Sequence, residues 1–259
     1  MQTTPKIGAH VSVAGGLYKA VENAQNIGAE CFQIFGANPR QWQVCFPGEN
    51  EIAKFKNANT KNMPIFLHAP YLINLASAKS ENYKKSIKCA VEHYNIAEAL
   101  GAEGLVIHLG SGEKDKLIKG IKKVLSLTKG KATLFLENSS GGGNKLGSSF
   151  KEVDEILKAL NSSRVKICFD TAHCFASGDN LSSWDFKNVG VLHINDSKTV
   201  FNSKNDRHEN IGKGYLGIDF FKNLAKSKVV NHLPWILEVP GFDNNGPDKK
   251  NIDILRGLF

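Results

Sequence analysis

The 259-residue chain lacks long apolar runs, and none approaches the roughly 18 to 20 residues that a membrane-spanning helix requires. Its first ten residues also lack the basic segment followed by an apolar one that marks an export signal. The five cysteines are odd in number and include no C-x-x-C pair, which argues against a disulfide framework and against a thiolate zinc site. We therefore predict a cytoplasmic protein that does not contact a membrane.

Arginine is also scarce, because only four of the 33 basic residues are arginines: Arg40, Arg164, Arg207 and Arg256. Against 25 acidic residues, the basic residues give a formal net charge of +8. This charge is compatible with a polyanionic partner but is too common among cytoplasmic proteins to identify one. A hydrophobic fraction of 41% with 22% charged residues is typical of a globular domain and excludes a disordered chain.

Short apolar segments that favour strands alternate with longer helical segments. The predicted strands span residues 6–10, 30–35, 64–68, 104–108, 133–137, 165–170, 190–194 and 234–239. Helices are predicted at 15–27, 48–61, 80–100, 114–128, 149–160 and 218–227. This alternation favours right-handed crossovers and a parallel sheet, so we predict one α/β domain over residues 1–259, a single (β/α)8 TIM barrel. The weakest unit is the sixth, in which residues 177–188 leave little room for a crossover helix.

Ionisable residues close most of the predicted strands. The set comprises His10, His68, His108, Glu137, Asp170, His193 and Glu238. Because all strands of such a barrel point the same way, these side chains would converge at the C-terminal rim. Singly, each histidine is more often a hydrogen-bonded structural group, and each carboxylate more often a helix cap. Together, buried imidazoles and carboxylates need a counter-charge, which a bound metal ion supplies.

Two further segments add metal-binding residue types to this rim. The sequence DTAH places Asp170 and His173 three residues apart where the sixth strand turns into a predicted loop. In DRH, Asp206 and His208 occupy alternate positions, so their side chains point the same way in an extended segment. A donor set of imidazole and carboxylate suits zinc, manganese or iron, and the spacing does not choose among these metals.

Several long motifs resemble those of endonuclease IV, a family of metal-dependent apurinic/apyrimidinic endonucleases of base-excision repair. The resemblance runs from GAHVSVAGGL at residues 8–17 to LEVPG at 237–241, and so covers nearly the whole chain in order. Its longest motifs are FLENSSGGGNKLG (135–147), CFDTAHCFASG (168–178) and HINDSKTVFNSKNDRHENIGKG (193–214). Shorter matches are NPRQW (38–42), HAPYLINL (68–75) and VIHLGS (106–111). The resemblance implies a (β/α)8 barrel with three zinc ions, and manganese is an alternative at one or more sites.

The resemblance also assigns nine metal ligands. By matching position, His68, His108 and Glu137 bind the first ion; Glu137, Asp170, His193 and Glu238 bind the second; His173, Asp206 and His208 bind the third. Glu137 would bridge two ions and is the candidate catalytic residue. His10 matches a position beside the site that binds no metal directly, and Asn195 is assigned to an orienting contact.

The implied reaction is hydrolysis of the phosphodiester 5′ to an abasic site in duplex DNA, which leaves a 3′-hydroxyl, together with trimming of blocked 3′ ends. In the family, residues at the positions of Arg40, Tyr71 and Leu72 enter the base stack or the minor groove and help to extrude the abasic nucleotide. Such wedges replace lost stacking, and extrusion costs least where no base is paired. An alternative interpretation is that Tyr71 and Leu72 only cover the barrel. The expected partner is duplex DNA with abasic sites or blocked 3′ ends, and the expected state is a monomer.

Two other functions share part of this pattern. A barrel isomerase or epimerase for a small sugar would use the same fold with one or two metal ions, but it needs neither the DRH pair nor wedge residues. A non-catalytic damage-binding module would keep the wedges and could lose metal ligands, and none is missing here. The chain also departs from the usual family pattern at Ala37, Ala172, Cys174 and Val239, which alters residues beside the assigned ligands but not the ligands themselves.

Overall fold

Eight parallel strands close into a barrel in the computed structural model, which describes residues 4–259. The barrel strands are β1 (Ile7–His10), β2 (Phe32–Phe35), β3 (Ile65–His68), β4 (Gly104–His108), β5 (Thr133–Glu137), β6 (Val165–Asp170), β7 (Val189–His193) and β10 (Trp235–Leu237). Strands that neighbour each other along the chain pair in the barrel, and β10 closes the ring between β7 and β1. The short strands β8 (Asp196–Ser197) and β9 (His208–Glu209) form a separate antiparallel pair. The predicted (β/α)8 TIM barrel is confirmed.

Helices follow most of the barrel strands. They are α1 (Leu17–Asn26), α2 (Glu49–Ala58), α3 (Ser80–Leu100), α4 (Lys114–Leu127), α5 (Phe150–Leu160), α6 (Thr171–Ser177), α7 (Gly217–Ala225) and α8 (Lys249–Arg256). Two 3₁₀ helices, Leu181–Ser183 and Phe186–Asn188, complete the connection from α6 to β7, which is as short as predicted. None of the helices in residues 4–259 combines the length and hydropathy that a membrane span requires.

A layer of apolar side chains fills the inside of the barrel below its carboxyl rim. Its members are Cys31, Phe66, Val106, Phe135, Cys168, Val191 and Ile236. Residues two apart on a strand share a face. Phe66 lies two residues before His68, Phe135 two before Glu137, and the same spacing recurs on β4, β6, β7 and at the end of β10. The strand period therefore places the ionisable side chains in the next layer, at the rim.

Three of the barrel strands span the predicted residues, namely β4, β5 and β6. The eighth barrel strand is shorter than the predicted 234–239, because the backbone N–H of Glu238 donates to Oδ1 of Asn195 at 2.7 Å rather than to a neighbouring strand. The predicted loop after Asp170 is wrong. Helix α6 begins at Thr171, since Oδ1 of Asp170 accepts the backbone N–H of His173 at 2.7 Å and caps the helix. Helix α8 was not predicted.

Candidate metal centre

Glu137 is the centre of the ionisable cluster at the carboxyl rim. It ends β5, is fully buried, and its two carboxylate oxygens face different imidazoles. Oε2 lies 3.1 Å from Nε2 of His68 and 3.2 Å from Nδ1 of His108. Oε1 lies 3.0 Å from Nδ1 of His193. One carboxylate is therefore shared by two groups of donor atoms, as a bridging ligand requires.

The second group of donors comprises Glu137, Asp170, His193 and Glu238, whose ligand atoms all lie within 4.8 Å of one another. Nδ1 of His193 is 3.3 Å from Oε2 of Glu238 and 3.9 Å from Oδ2 of Asp170. Three carboxylates thus surround one imidazole nitrogen. Such an arrangement places several negative charges together, and a divalent cation would compensate for them.

The third assigned group combines His173 of α6 with Asp206 and His208, which lie just before and at the start of β9. The donor atoms that all lie within 4.8 Å of one another here are those of Asp170, His173 and His208, whereas Asp206 contacts each of the two histidines separately. Nε2 of His173 lies 3.1 Å from Oδ2 of Asp206, and Nε2 of His208 lies 3.5 Å from Oδ1 of the same carboxylate. The pairing of His208 with Ser197 holds this segment against the barrel. Nε2 of His173 and Nε2 of His208 are both buried, and neither makes a well-aligned hydrogen bond, since each only faces the Asp206 carboxylate. Two orphaned imidazole nitrogens beside a carboxylate fit a metal ion, because a ligating nitrogen must keep its lone pair free.

Backbone carbonyls orient three of the imidazoles. Nδ1 of His68 donates to the carbonyl of Ala69 at 2.7 Å, and Nδ1 of His173 donates to that of Asn138 at 2.9 Å. Nδ1 of His208 donates to the carbonyl of Glu238 at 3.2 Å. A proton held on Nδ1 leaves Nε2 to face the cluster, which is how protein metal sites fix the tautomer of a histidine ligand.

Burial and the charges of the cluster oppose each other in setting the pKa values. Burial alone would raise the pKa of Glu137, but His108 and His193 outweigh burial and hold this pKa well below its usual value. Glu238 likewise has a lowered pKa, because His193 and His10 outweigh the effect of burial. Burial lowers the pKa of His173, but Asp170 and Asp206 outweigh it and raise the pKa well above its usual value. Glu137 and Glu238 are therefore ionised at neutral pH, as metal ligands must be.

A family model described as a xylose isomerase-like TIM barrel matches residues 21–258. The probable endonuclease 4 of Halothermothrix orenii is 34% identical to this chain and aligns over 97% of it and 99% of that protein. The probable endonuclease 4 of Aquifex aeolicus is 35% identical, with 97% of each chain covered. This chain belongs to the endonuclease IV family.

Solved structures agree with the membership of the endonuclease IV family. The crystal structure of endonuclease IV from Thermus thermophilus superposes on 98% of each chain with a TM-score of 0.87 and 28% sequence identity. A D-tagatose 3-epimerase-like protein superposes with a TM-score of 0.78 but is only 20% identical, so that likeness shows the fold alone. As a member of the endonuclease IV family, the chain is an enzyme of the nuclease class.

The remaining assigned residues of this endonuclease IV family chain lie around the cluster. Nδ1 of His10 is 3.3 Å from Oε1 of Glu238, and His10 is not among the donor groups found in residues 4–259. Nδ2 of Asn195 donates to Oδ2 of Asp170 at 2.7 Å, and its Oδ1 accepts the backbone N–H of Glu238, so Asn195 links two of the assigned ligands through its amide. Both residues contact the assigned ligands from outside the cluster.

The three assigned wedge residues differ in exposure. Arg40 is exposed in the loop after β2, and Leu72 is half-buried. Tyr71 is 70% exposed, and its ring stacks on His108 with the ring centroids 5.4 Å apart. A cavity of about 230 Å³ opens beside Tyr71 and is lined by His108, Lys145 and other rim residues. Aromatic and cationic side chains therefore border the ionisable cluster.

Sequence reasoning missed three residues that contact the ligands. Asn138 accepts the N–H of Asp170 through Oδ1 at 2.7 Å and donates to its carbonyl through Nδ2 at 3.0 Å. The sulfur of Cys168 lies within 4.8 Å of donor atoms of Glu137 and His193, and burial raises the pKa of the Cys168 thiol to about 12. Gln33 is fully buried within β2. The sequence did contain a sign of the role of Gln33, because an amide in the middle of the apolar run CFQIF has no partner in a hydrophobic core.

Proposed function

We propose that this endonuclease IV family chain hydrolyses the phosphodiester 5′ to abasic sites in duplex DNA, leaves a 3′-hydroxyl, and trims blocked 3′ ends. The observation that carries the proposal is the position of Glu137 between two groups of donors, with a third group beside them. A sugar isomerase with one or two metal ions has no need for the third group. The fold, which sugar epimerases share, does not distinguish the two activities.

The three donor groups would hold three zinc ions, with manganese as an alternative at one or more positions. The first group is His68, His108 and Glu137; the second is Glu137, Asp170, His193 and Glu238; the third is His173, Asp206 and His208. Support comes from the imidazole and carboxylate donors of the first two groups and from the Nε2 atoms of His173 and His208, which face Asp206 at 3.1 and 3.5 Å. When bound, such ions polarise phosphate oxygens and lower the pKa of water. Three dications against four carboxylates leave a net positive site, which attracts a phosphate.

Protein side chains around the cluster would bind and orient the DNA. Arg40, Tyr71 and Leu72 would occupy the space left by the missing base, since planar and apolar side chains replace lost stacking. The formal net charge of +8 favours association with the DNA backbone. Lys145, whose Nζ lies 3.4 Å from Oγ of Ser140 on the wall of the 230 Å³ cavity, would attract a phosphate of the lesion strand.

A duplex with one tetrahydrofuran abasic analogue and a 5′ label tests the proposal. Protein loaded with zinc should cut the labelled strand once, on the 5′ side of the analogue, and a DNA polymerase should extend the product because it ends in a 3′-hydroxyl. Chelator should abolish cutting, and zinc or manganese should restore it. An identical duplex with no lesion serves as the control. Absence of cutting by fully metallated protein would overturn the proposal, as would a product that the polymerase cannot extend.

A further inference from the structure

Gln33 lies between two of the residues assigned to the second donor group. It sits in β2 opposite His10 and is 0% exposed. Its Nε2 is 2.6 Å from Oε1 of Glu238, and its Oε1 is 3.0 Å from Nε2 of His193. One neutral amide thus contacts a carboxylate with one end and an imidazole with the other.

The chemistry of these contacts leaves one orientation for the amide. An ionised carboxylate only accepts hydrogen bonds, so the amide NH₂ of Gln33 must face Glu238. The amide oxygen then faces His193, and an oxygen only accepts, so Nε2 of His193 must carry the proton. With that proton on Nε2, Nδ1 of His193 is the nitrogen that faces the cluster, 3.0 Å from Oε1 of Glu137, and its lone pair is the one that would bind a metal ion.

The same amide also selects which oxygen of Glu238 faces the cluster. Oε1 is held by Gln33, whereas Oε2 lies 3.3 Å from Nδ1 of His193. The second hydrogen of the Gln33 amide can be accepted by Nδ1 of His10, 3.0 Å away, when the proton of His10 is on Nε2. Both donors and the acceptor of Gln33 are therefore engaged, which restrains the amide from rotating.

His193 differs in this respect from the other oriented histidines. His68, His173 and His208 each donate their remote N–H to a backbone carbonyl, which no substitution removes. The remote nitrogen of His193 depends on a side chain instead. We propose that Gln33 is a positioning residue that sets the tautomer of His193 and the rotamer of Glu238 for metal binding by the second donor group. The inference rests on the metal centre of the proposed function but not on its DNA substrate.

Gln33→Met tests the inference, because methionine has nearly the same length but offers no amide. Metal affinity is measured without DNA, by competition between the zinc-loaded protein and a chromophoric chelator. We expect one equivalent of zinc to bind about 10- to 100-fold more weakly than in the unmodified protein, the effect usual for residues that orient metal ligands. The other equivalents should keep their affinity. Gln25→Met, in α1 and away from the cluster, is the matched control and should change nothing.

Imidazole ¹⁵N NMR of the zinc-loaded protein gives a second readout that loss of packing would not produce. In the unmodified protein His193 should carry its proton on Nε2, and in Gln33→Met that proton should lose its hydrogen bond and exchange faster with water. Unchanged affinity for every zinc equivalent in Gln33→Met would overturn the inference. A proton on Nδ1 of His193 in the unmodified protein would also overturn it, and this measurement needs no variant to fold.

The two proposals fail in different ways. If metallated protein does not cut the abasic duplex, the proposed DNA reaction is wrong, while the effect of Gln33→Met on zinc affinity still stands or falls by itself. If cutting is normal but Gln33→Met retains all zinc affinities, only the role of Gln33 is wrong. Should Gln33→Met not fold, Gln33→Leu replaces it in the chelator competition with the same expected loss.

Discussion

The two ends of the barrel bury charge in opposite ways. At the amino end of β6, the terminal guanidinium nitrogens of Arg164 donate to the carbonyls of Leu125 and Thr128, to Oγ1 of Thr128 and to the hydroxyl of Tyr94, all at 2.8 to 3.2 Å. At the carboxyl rim, carboxylates and imidazoles face one another, and Nε2 of His173 and Nε2 of His208 have no hydrogen-bond partner. In the first arrangement both terminal nitrogens of the guanidinium have partners within the protein and only its Nε lacks one. In the second, the unpartnered nitrogens belong to assigned metal ligands and face a carboxylate, where a cation would fit.

This difference separates a stabilising network from a binding site. A buried charge that is surrounded by fixed partners contributes to the free energy of unfolding, and removing it leaves those partners unpaired. A buried cluster that gathers several carboxylates lowers the stability of the ligand-free chain and recovers that loss when a cation binds. Variants at the two ends should therefore have different signatures, one in stability and the other in metal binding and catalysis.

The largest effect is expected for Glu137→Gln at the carboxyl rim. Because the amide cannot bridge two donor groups, cleavage of the abasic duplex should fall on the order of 1,000-fold, or about 4 kcal/mol in activation free energy. Binding of the abasic duplex, measured by fluorescence anisotropy, should remain. Glu155→Gln, an exposed site paired with Lys114, is the matched control. Equal cleavage by Glu137→Gln and the control would show that Glu137 has no essential role.

Arg164→Leu at the opposite end should affect stability and leave function intact. The loss of several hydrogen bonds to a half-buried charge should lower the free energy of unfolding by about 3 kcal/mol in urea titrations. Zinc content and kcat/KM of the folded protein at 25 °C should not change. Arg256→Leu, which removes a partly exposed arginine beside Glu30, should cost less than about 1 kcal/mol. A loss of zinc from Arg164→Leu would contradict the assignment of the amino end to stability alone.

His93 of α3 is a third kind of buried polar residue, since it is 0% exposed and neither ring nitrogen has a hydrogen-bond partner. Burial, with a smaller contribution from His68, lowers its pKa from 6.5 to about 4. Below pH 6.5, His93 binds a proton in the unfolded chain but stays neutral in the folded chain. The free energy of unfolding therefore falls as the pH drops from 6.5 to 4. At pH 4 the buried His93 should lower the free energy of unfolding by about 3 kcal/mol relative to its value at neutral pH.

His93→Leu removes the pH-dependent loss of stability that His93 causes. The difference in free energy of unfolding between His93→Leu and the unmodified protein, both without metal, should shift by about 3 kcal/mol in favour of the variant between pH 7 and pH 4. Contributions from within the metal cluster cancel in this difference because both proteins contain it, and only the smaller interaction of His93 with His68 is removed together with His93. Urea titrations at several pH values measure the shift, and a constant difference across this range would contradict the assignment.

The smallest effect is expected for Arg40→Ala in the exposed loop after β2. Loss of this side chain should weaken binding of the abasic duplex about 10-fold and leave zinc content unchanged. Lys129→Ala, which removes an exposed positive charge at the amino end of β5, is the control for net charge. If both variants bind the abasic duplex equally, Arg40 contributes only its charge and the wedge role is wrong.

Much of this architecture was predictable because strand period and strand ends are local properties of the sequence. The residues of β4, β5 and β6 were predicted correctly, and the ionisable residues that close them do meet at one rim. The helix after Asp170 was missed because the same carboxylate can cap a helix and ligate a metal, and here it accepts the N–H of His173. Gln33 was missed because its partners, His193 and Glu238, are 160 and 205 residues away.

The sequence by itself determined the barrel, the rim at which the ionisable residues gather, and, through its motifs, the family. These follow from the period of a strand, the shared direction of parallel strands, and residue types in a recognisable order. Only the tertiary structure decided which atoms face one another. The two oxygens of Glu137 face different donor groups, and the Gln33 amide contacts both His193 and Glu238. The reason is geometric, because barrel closure brings β2, β7 and β10 together over separations that no local pattern records.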